Sequence, residues 1–123
     1  MIRIIDIPIY RCSVVFLIGA SREEWGAFFE ENKKKGALTE RDNIDVIDEY
    51  DNEQCLGFVV ETEGKDCITC IKDKNNPGVV AHEIFHAANA ILHGRGVEPG
   101  NASEPWAYLI EYITNEFYSI PEE

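Results

Sequence analysis

The chain has 123 residues, 45% hydrophobic and 11% aromatic, with 23 acidic against 11 basic side chains and a net charge of −12. That composition suits one domain with its own core, so neither disorder nor a disulfide framework is needed. So acidic a surface repels phosphate backbones and anionic headgroups, which excludes nucleic acid and membrane surfaces as expected partners and attracts cationic peptides, although solubility alone also accounts for it.

Ile2 to Ile9 is β-branched and apolar, and Cys12 to Gly19 is a second such run; both read as strands. The longest apolar stretch, Val14 to Ile18, falls far short of the roughly 20 residues that span a bilayer. Asp6 and Pro8 interrupt the N-terminus as a secretory signal, so the expected compartment is the cytoplasm. Cys12, Cys55, Cys67 and Cys70 are then expected as reduced thiols.

Ser21 with Glu24 three residues on forms a capping box that opens a helix. Trp25, Phe28 and Phe29 supply its apolar stripe, Lys33 to Lys35 its last turn, and Gly36 its end. Residues 39 to 54 are acidic and weakly patterned, which predicts a solvated connection with at most a short helical turn. A role for that stretch in gating or attracting substrate is the functional alternative. Cys55 to Thr62 and Asp66 to Lys72 read as two further strands joined at Glu63-Gly64-Lys65 in a hairpin. The C-x-x-C pair Cys67 and Cys70 lies in the second of these, where positions i and i+3 face opposite sides. With no second pair to complete a zinc ribbon, buried structural thiols are expected.

Asn75-Asn76-Pro77-Gly78 predicts a turn, followed by a helix from about Val79 to His93 that Gly94-Arg95-Gly96 stops. A last helix starts near Ser103 or Glu104, with Pro105 in its first turn, and runs to about Ser119. Asn101-Ala102-Ser103 formally matches a glycosylation acceptor but reads better as a turn and helix cap. The expected fold is α+β: a small mixed or antiparallel sheet packed on helices, in a single domain.

His82-Glu83-Ile84-Phe85-His86 carries the chemistry. On a helix, positions i and i+4 stack, so two neutral imidazoles can converge on one ion, and Zn²⁺ is the metal they suit. Glu83 is rotated about 100° from His82, so it misses the ion and reaches a water held there. The rest of this helix is apolar nearly all round, with Asn89 and His93 continuing the polar stripe; it is expected to be buried on most sides. One zinc per chain is expected.

A catalytic zinc usually takes three protein ligands. His93 lies about 10 Å further along the helix axis than His86, too far to share the ion. Glu104, after the reversal at residues 94–100, is the stronger third ligand, with Glu111 in reserve and Glu98 behind it. Glu104, Tyr108, Glu111 and Asn115 recur at helical spacing on one face, opposite the apolar Trp106, Leu109, Ile110, Ile113 and Phe117.

His82, Glu83, His86 and Glu104, in that order, resemble the ligand-base-ligand-ligand set of gluzincin-type zincin metallopeptidases, here reduced to a minimal domain. Glu104-Pro105-Trp106-Ala107 is similar to the E-x-x-A variant of small phage and bacterial zincins, among them those that cleave phage repressors. The resemblance covers about Val79 to Phe117. It implies an active-site helix beneath a mixed sheet whose edge strand binds an extended peptide or protein substrate. It also implies that Glu83 acts as general base on a zinc-bound water. Tyr108 is the candidate for a further donor to the developing oxyanion, and Asn89 and Asn115 for orienting the ligands. The chain departs from thermolysin-like members in carrying Tyr108 where they place an acidic residue, and in having no second lobe. The alternative is a non-catalytic, zinc-containing binding or regulatory module; a zinc hydrolase acting on something other than peptides is a third reading.

Overall fold

A computed structural model describes residues 1–52, 54–97 and 103–121, with no account of the Ser103 side chain. Among these the chain forms one four-stranded mixed sheet and four α-helices: β1 (Ile2–Ile7), β2 (Cys12–Ile18), α1 (Arg22–Lys34), α2 (Glu40–Tyr50), β3 (Gly57–Glu61), β4 (Cys67–Ile71), α3 (Pro77–His93) and α4 (Ser103–Tyr118). The strand order is β1-β2-β4-β3, so β1 and β3 are the edges. β1–β2 and β3–β4 are antiparallel hairpins, while β2 and β4 pair in parallel from Val14↔Cys67 to Ile18↔Ile71. No described helix is long and apolar enough to cross a membrane.

Alternation along the strands sorts the core into two layers. Val14, Phe16, Cys67 and Ile71 face α3 and α4 together with Val80, Ile84, Ile91 and Leu109. Val15, Leu17, Ile68 and Cys70 face the other way, onto Trp25 and Phe29 of α1 and Val46 of α2. Both faces of the central strands are therefore covered, which is why β2 and β4 read as unbroken apolar runs. Cys67 and Cys70 fall in opposite layers as free thiols, as strand periodicity requires. Burial raises both pKa values, to about 12 at Cys67 and about 11 at Cys70.

Most element boundaries follow the sequence expectation, with four corrections. The first strand stops at Ile7, because Pro8 starts a short 3₁₀ turn that ends with Arg11 in the left-handed region at φ 52°. The third strand starts at Gly57, two residues after the expected Cys55. α3 starts at Pro77, two residues early: Asn76 caps it by accepting the Val79 N–H at 3.2 Å, and proline suits the first helical position.

The fourth correction is the largest. Residues 40–50, expected as a solvated connection, form the three-turn helix α2. Thr39 and Asp42 make a reciprocal capping box, with Asp42 N–H donating to Thr39 Oγ1 at 3.2 Å and Thr39 N–H to Asp42 Oδ2 at 2.9 Å. The second Asp42 oxygen accepts the Glu63 N–H at 3.0 Å, which ties α2 to the hairpin turn and explains a carboxylate only 1% exposed. Trp25 Nε1 donates to Asn43 Oδ1 at 2.8 Å and joins α2 to α1.

Candidate metal centre

α3 packs on β4 and β3 with Val80, Ile84, Ala87, Ala88, Ile91 and Leu92 buried, a stripe at the i, i+4, i+7, i+8 spacing of one helix face. That stripe fixes the rotation of α3. His82, His86 and His93 are turned outward and exposed, Asn89 is half-buried, and Glu83 is 95% buried. The helix is less enclosed than its sequence suggests, since Ala81 and Phe85 are also exposed. Arg95 anchors its C-terminal end by donating to Tyr10 O at 3.0 Å and to Ile91 O at 2.9 Å.

The two imidazoles of the motif converge. His82 Nε2 and His86 Nε2 stand 3.1 Å apart, with ring centroids 4.6 Å apart and planes at 72°. Two nitrogens at that separation, each about 2.0–2.1 Å from one ion, subtend about 100° there, which fits a tetrahedral zinc. The same spacing allows a hydrogen bond between the rings. Exposed imidazoles have water as an alternative partner, however, and these two turn the same ring atom to one point.

Glu83 sits between them on the inner side. Its carboxylate makes no hydrogen bond to any described residue and faces an open cleft along β3. Burial raises its pKa, against the lowering effect of His82 and His86, with a smaller raising contribution from Glu49. Gly57, the first residue of β3, makes room for it: a Cβ at 57 would stand 2.8 Å from Glu83 Oε2.

The cleft runs between α3 and the edge strand β3. Gly57, Val59 and Glu61 alternate onto its wall while Phe58 and Val60 point into the opposite core layer. β3 and α3 run in the same sense, for Gly57 abuts Glu83 whereas Glu61 Oε1 lies 2.9 Å from where a Cβ on Gly94 would be. Glu49 of α2 joins the cleft from the other side of the sheet edge. Sequence reasoning did not find Gly57, Glu49 or Glu61. The available signal was a strand whose one face reads Gly-Val-Glu beside a helix with a polar stripe.

The structure does not bring together all the predicted site residues. Among the described residues, no third His, Cys, Asp or Glu joins His82 and His86 in a group able to hold a metal. Glu104 is exposed in the first turn of α4. That turn is nevertheless near the motif, since Trp106 lies 5.7 Å from Phe85, whose ring in turn is 5.8 Å from His86. Tyr108 is 54% exposed, stacked on Tyr112 at 6.5 Å, and is not part of the cleft wall. Glu111 and Asn115 are exposed on α4, while Asn89 lines the cleft. Glu98 and the Asn101–Ala102 turn lie outside the described residues.

No protein-family model matches this chain, and no curated protein or solved structure matches it either.

Proposed function

We propose that this chain is a zinc-dependent peptidase of minimal zincin type, hydrolysing a peptide or protein substrate laid along β3. The observation that carries this reading is the convergence of His82 Nε2 and His86 Nε2 at 3.1 Å beside Glu83, a largely buried residue whose carboxylate opens on the cleft. A purely structural zinc site has no use for that carboxylate. His82 and His86 would hold the metal, with Glu104, exposed in the first turn of α4, as the third ligand. Zinc bound there supplies Lewis acidity toward a carbonyl and a more acidic water. Glu83 takes a proton from the attacking water and delivers it to the leaving amine, a role that burial favours because it raises the affinity of the carboxylate for that proton. β3, hydrogen-bonded to β4 on one side only, offers its free edge to an extended peptide. Tyr108 stands as a further donor only if α4 turns it toward the cleft.

A second reading, a non-catalytic zinc-containing binding module, is favoured by one observation: no third ligand reaches the imidazole pair among the described residues. Glu83→Gln separates the two. The expected result is one zinc per chain by elemental analysis, an unchanged melt, and hydrolysis of a peptide library reduced by about 10²–10⁴-fold. Hydrolysis that survives this substitution rules out the proposed base. A zinc-loaded wild-type chain that cleaves nothing supports the binding module.

A further inference from the structure

The cleft has two chemically different halves that meet at Gly57, His82 and Glu83. The half toward the start of α3, of about 470 Å³, is walled by Cys55, Leu56 and Val79 and, among the described residues, brings no charged side chain beyond the shared Glu83. Leu56 is 60% exposed there, a large apolar side chain held open to water. The half toward the end of α3, of about 480 Å³, adds the carboxylates of Glu49 and Glu61 and, among the described residues, no lysine or arginine. Neither carboxylate has an ion-pair partner among the described residues, although Lys and Arg elsewhere on the chain pair with Glu40, Asp45 and Asp51; Glu49 Oε2 accepts from Cys55 Sγ at 4.0 Å and so stands near the boundary, with Glu61 deepest in the acidic half. Between the halves lies Glu83, a largely buried residue whose carboxylate opens on the cleft.

We propose that this cleft selects an extended peptide carrying an apolar side chain on one flank of the residue over His82 and Glu83 and a lysine or arginine on the other. The proposal deepens the peptidase reading and rests on it for taking the ligand to be a peptide. The geometry sets the spacing. Same-face side chains of an extended chain recur about every 6.8 Å. Gly57 lies where the halves meet and Glu61 two such steps on, so a peptide along β3 with one residue over Gly57 and Glu83 has same-face side chains on either side, one toward Leu56 and Val79 and one toward Glu61. The apolar one covers Leu56 and Val79, and the basic one meets Glu49 and Glu61. The net charge of −12 draws a cationic peptide toward the cleft from a distance. Glu83 in the middle disfavours an acidic residue there.

The test uses fluorescent, end-capped peptides of one Ser/Gly scaffold bearing Leu and Arg, Leu and Glu, Ala and Arg, or Ala and Ala at the two flanking positions. Each is titrated against the zinc-supplied wild-type chain by anisotropy, and the same samples are read for cleavage by mass spectrometry. The Leu/Arg peptide is expected to bind about ten-fold more tightly than Leu/Glu. Glu49→Gln with Glu61→Gln should reduce that preference by about five-fold or more while leaving the preference for Leu over Ala intact. Leu56→Ser should do the reverse. Glu61→Lys, an exposed charge swap that leaves the core untouched, should shift the preference toward Leu/Glu. Affinities equal within about two-fold, an Arg preference that survives the double substitution, or no binding of any peptide overturns the proposal. Selective binding without cleavage overturns only the peptidase reading; cleavage without selectivity overturns only this one.

Discussion

Gly57 lies so close to Glu83 that a Cβ at position 57 would stand 2.8 Å from both Cγ and Oε2 of that side chain, and equally close to the Cys70 carbonyl oxygen. Glycine is there for the approach between strand and helix, not for a turn. Gly57→Ala would ordinarily gain about 0.4–1 kcal/mol from a stiffer unfolded chain. Overlap with a backbone oxygen in a paired strand outweighs this, at about 1–3 kcal/mol. The variant is expected to melt lower, to keep its zinc because His82 and His86 lie outside the overlap, and to lose hydrolysis as Glu83 is displaced. Melting temperature, metal content and cleavage rate, measured together, check all three.

Glu104→Ala asks whether α4 contributes to the metal. The side chain is exposed and its loss leaves the core intact. A fall of about 10-fold or more in zinc affinity, read by competition with a chromogenic chelator, is the expected outcome if it is a ligand. Glu111→Ala, on an exposed face one helical stretch away, is expected to leave zinc affinity unchanged.

The two buried thiols give a pH signature. Cys67 is 1% exposed, and burial raises its pKa from an ordinary 9.0 to about 12. Below pH 9 the thiol is neutral in both the folded and unfolded chain. Between pH 9 and about 12 only the unfolded chain gives up the proton, so stability falls as pH rises through that window, by about 1.4 kcal/mol per unit for this thiol. Urea titrations at pH 8, 9 and 10 are expected to show the loss, and Cys67→Ala to reduce it by its own share while the contribution of Cys70, whose pKa burial raises to about 11, remains. At neutral pH in the folded state, neither Cys67 nor Cys70 should react with a thiol reagent.

Asp42 holds two elements at once. Asp42→Ala removes the partner of the Thr39 N–H and of the Glu63 N–H and strands two donors, whereas Thr39→Ala removes one cap acceptor. The expected cost is about 2–4 kcal/mol for the first and about 1 kcal/mol for the second, by equilibrium denaturation.

What could be read without coordinates follows physical range. The motif on α3, the capping box of α1 and the opposite facing of Cys67 and Cys70 all depend on residues within a few positions of one another, and all are legible. α2 was missed because its box uses Asp42 in place of Glu or Gln. Its pattern is also weak: Ile44 is exposed while the charged Asp42 is buried. The cleft wall was missed for a different reason. That Gly57 faces Glu83, and that Glu49 and Glu61 meet the end of α3, depends on the placement of a strand against a helix twenty or more positions away in the chain, which no local pattern encodes.

The parallel pairing of β2 with β4 has a kinetic consequence. Each outer hairpin closes over a short loop, but the seam between them joins Val14 to Cys67 and cannot form until α1, α2 and most of the β3–β4 hairpin have been made. Such distant pairing carries a large loop-closure cost before any contact repays it, so the seam is expected to be the slow step of folding, which mutations at Val14 or Cys67 that slow refolding more than they speed unfolding would bear out. α3 packs across β3 and β4, so the imidazole pair has its full scaffold only once the seam has closed. During synthesis, the imidazole pair therefore cannot gain that scaffold before the residues of α3 have followed both hairpins out of the ribosome.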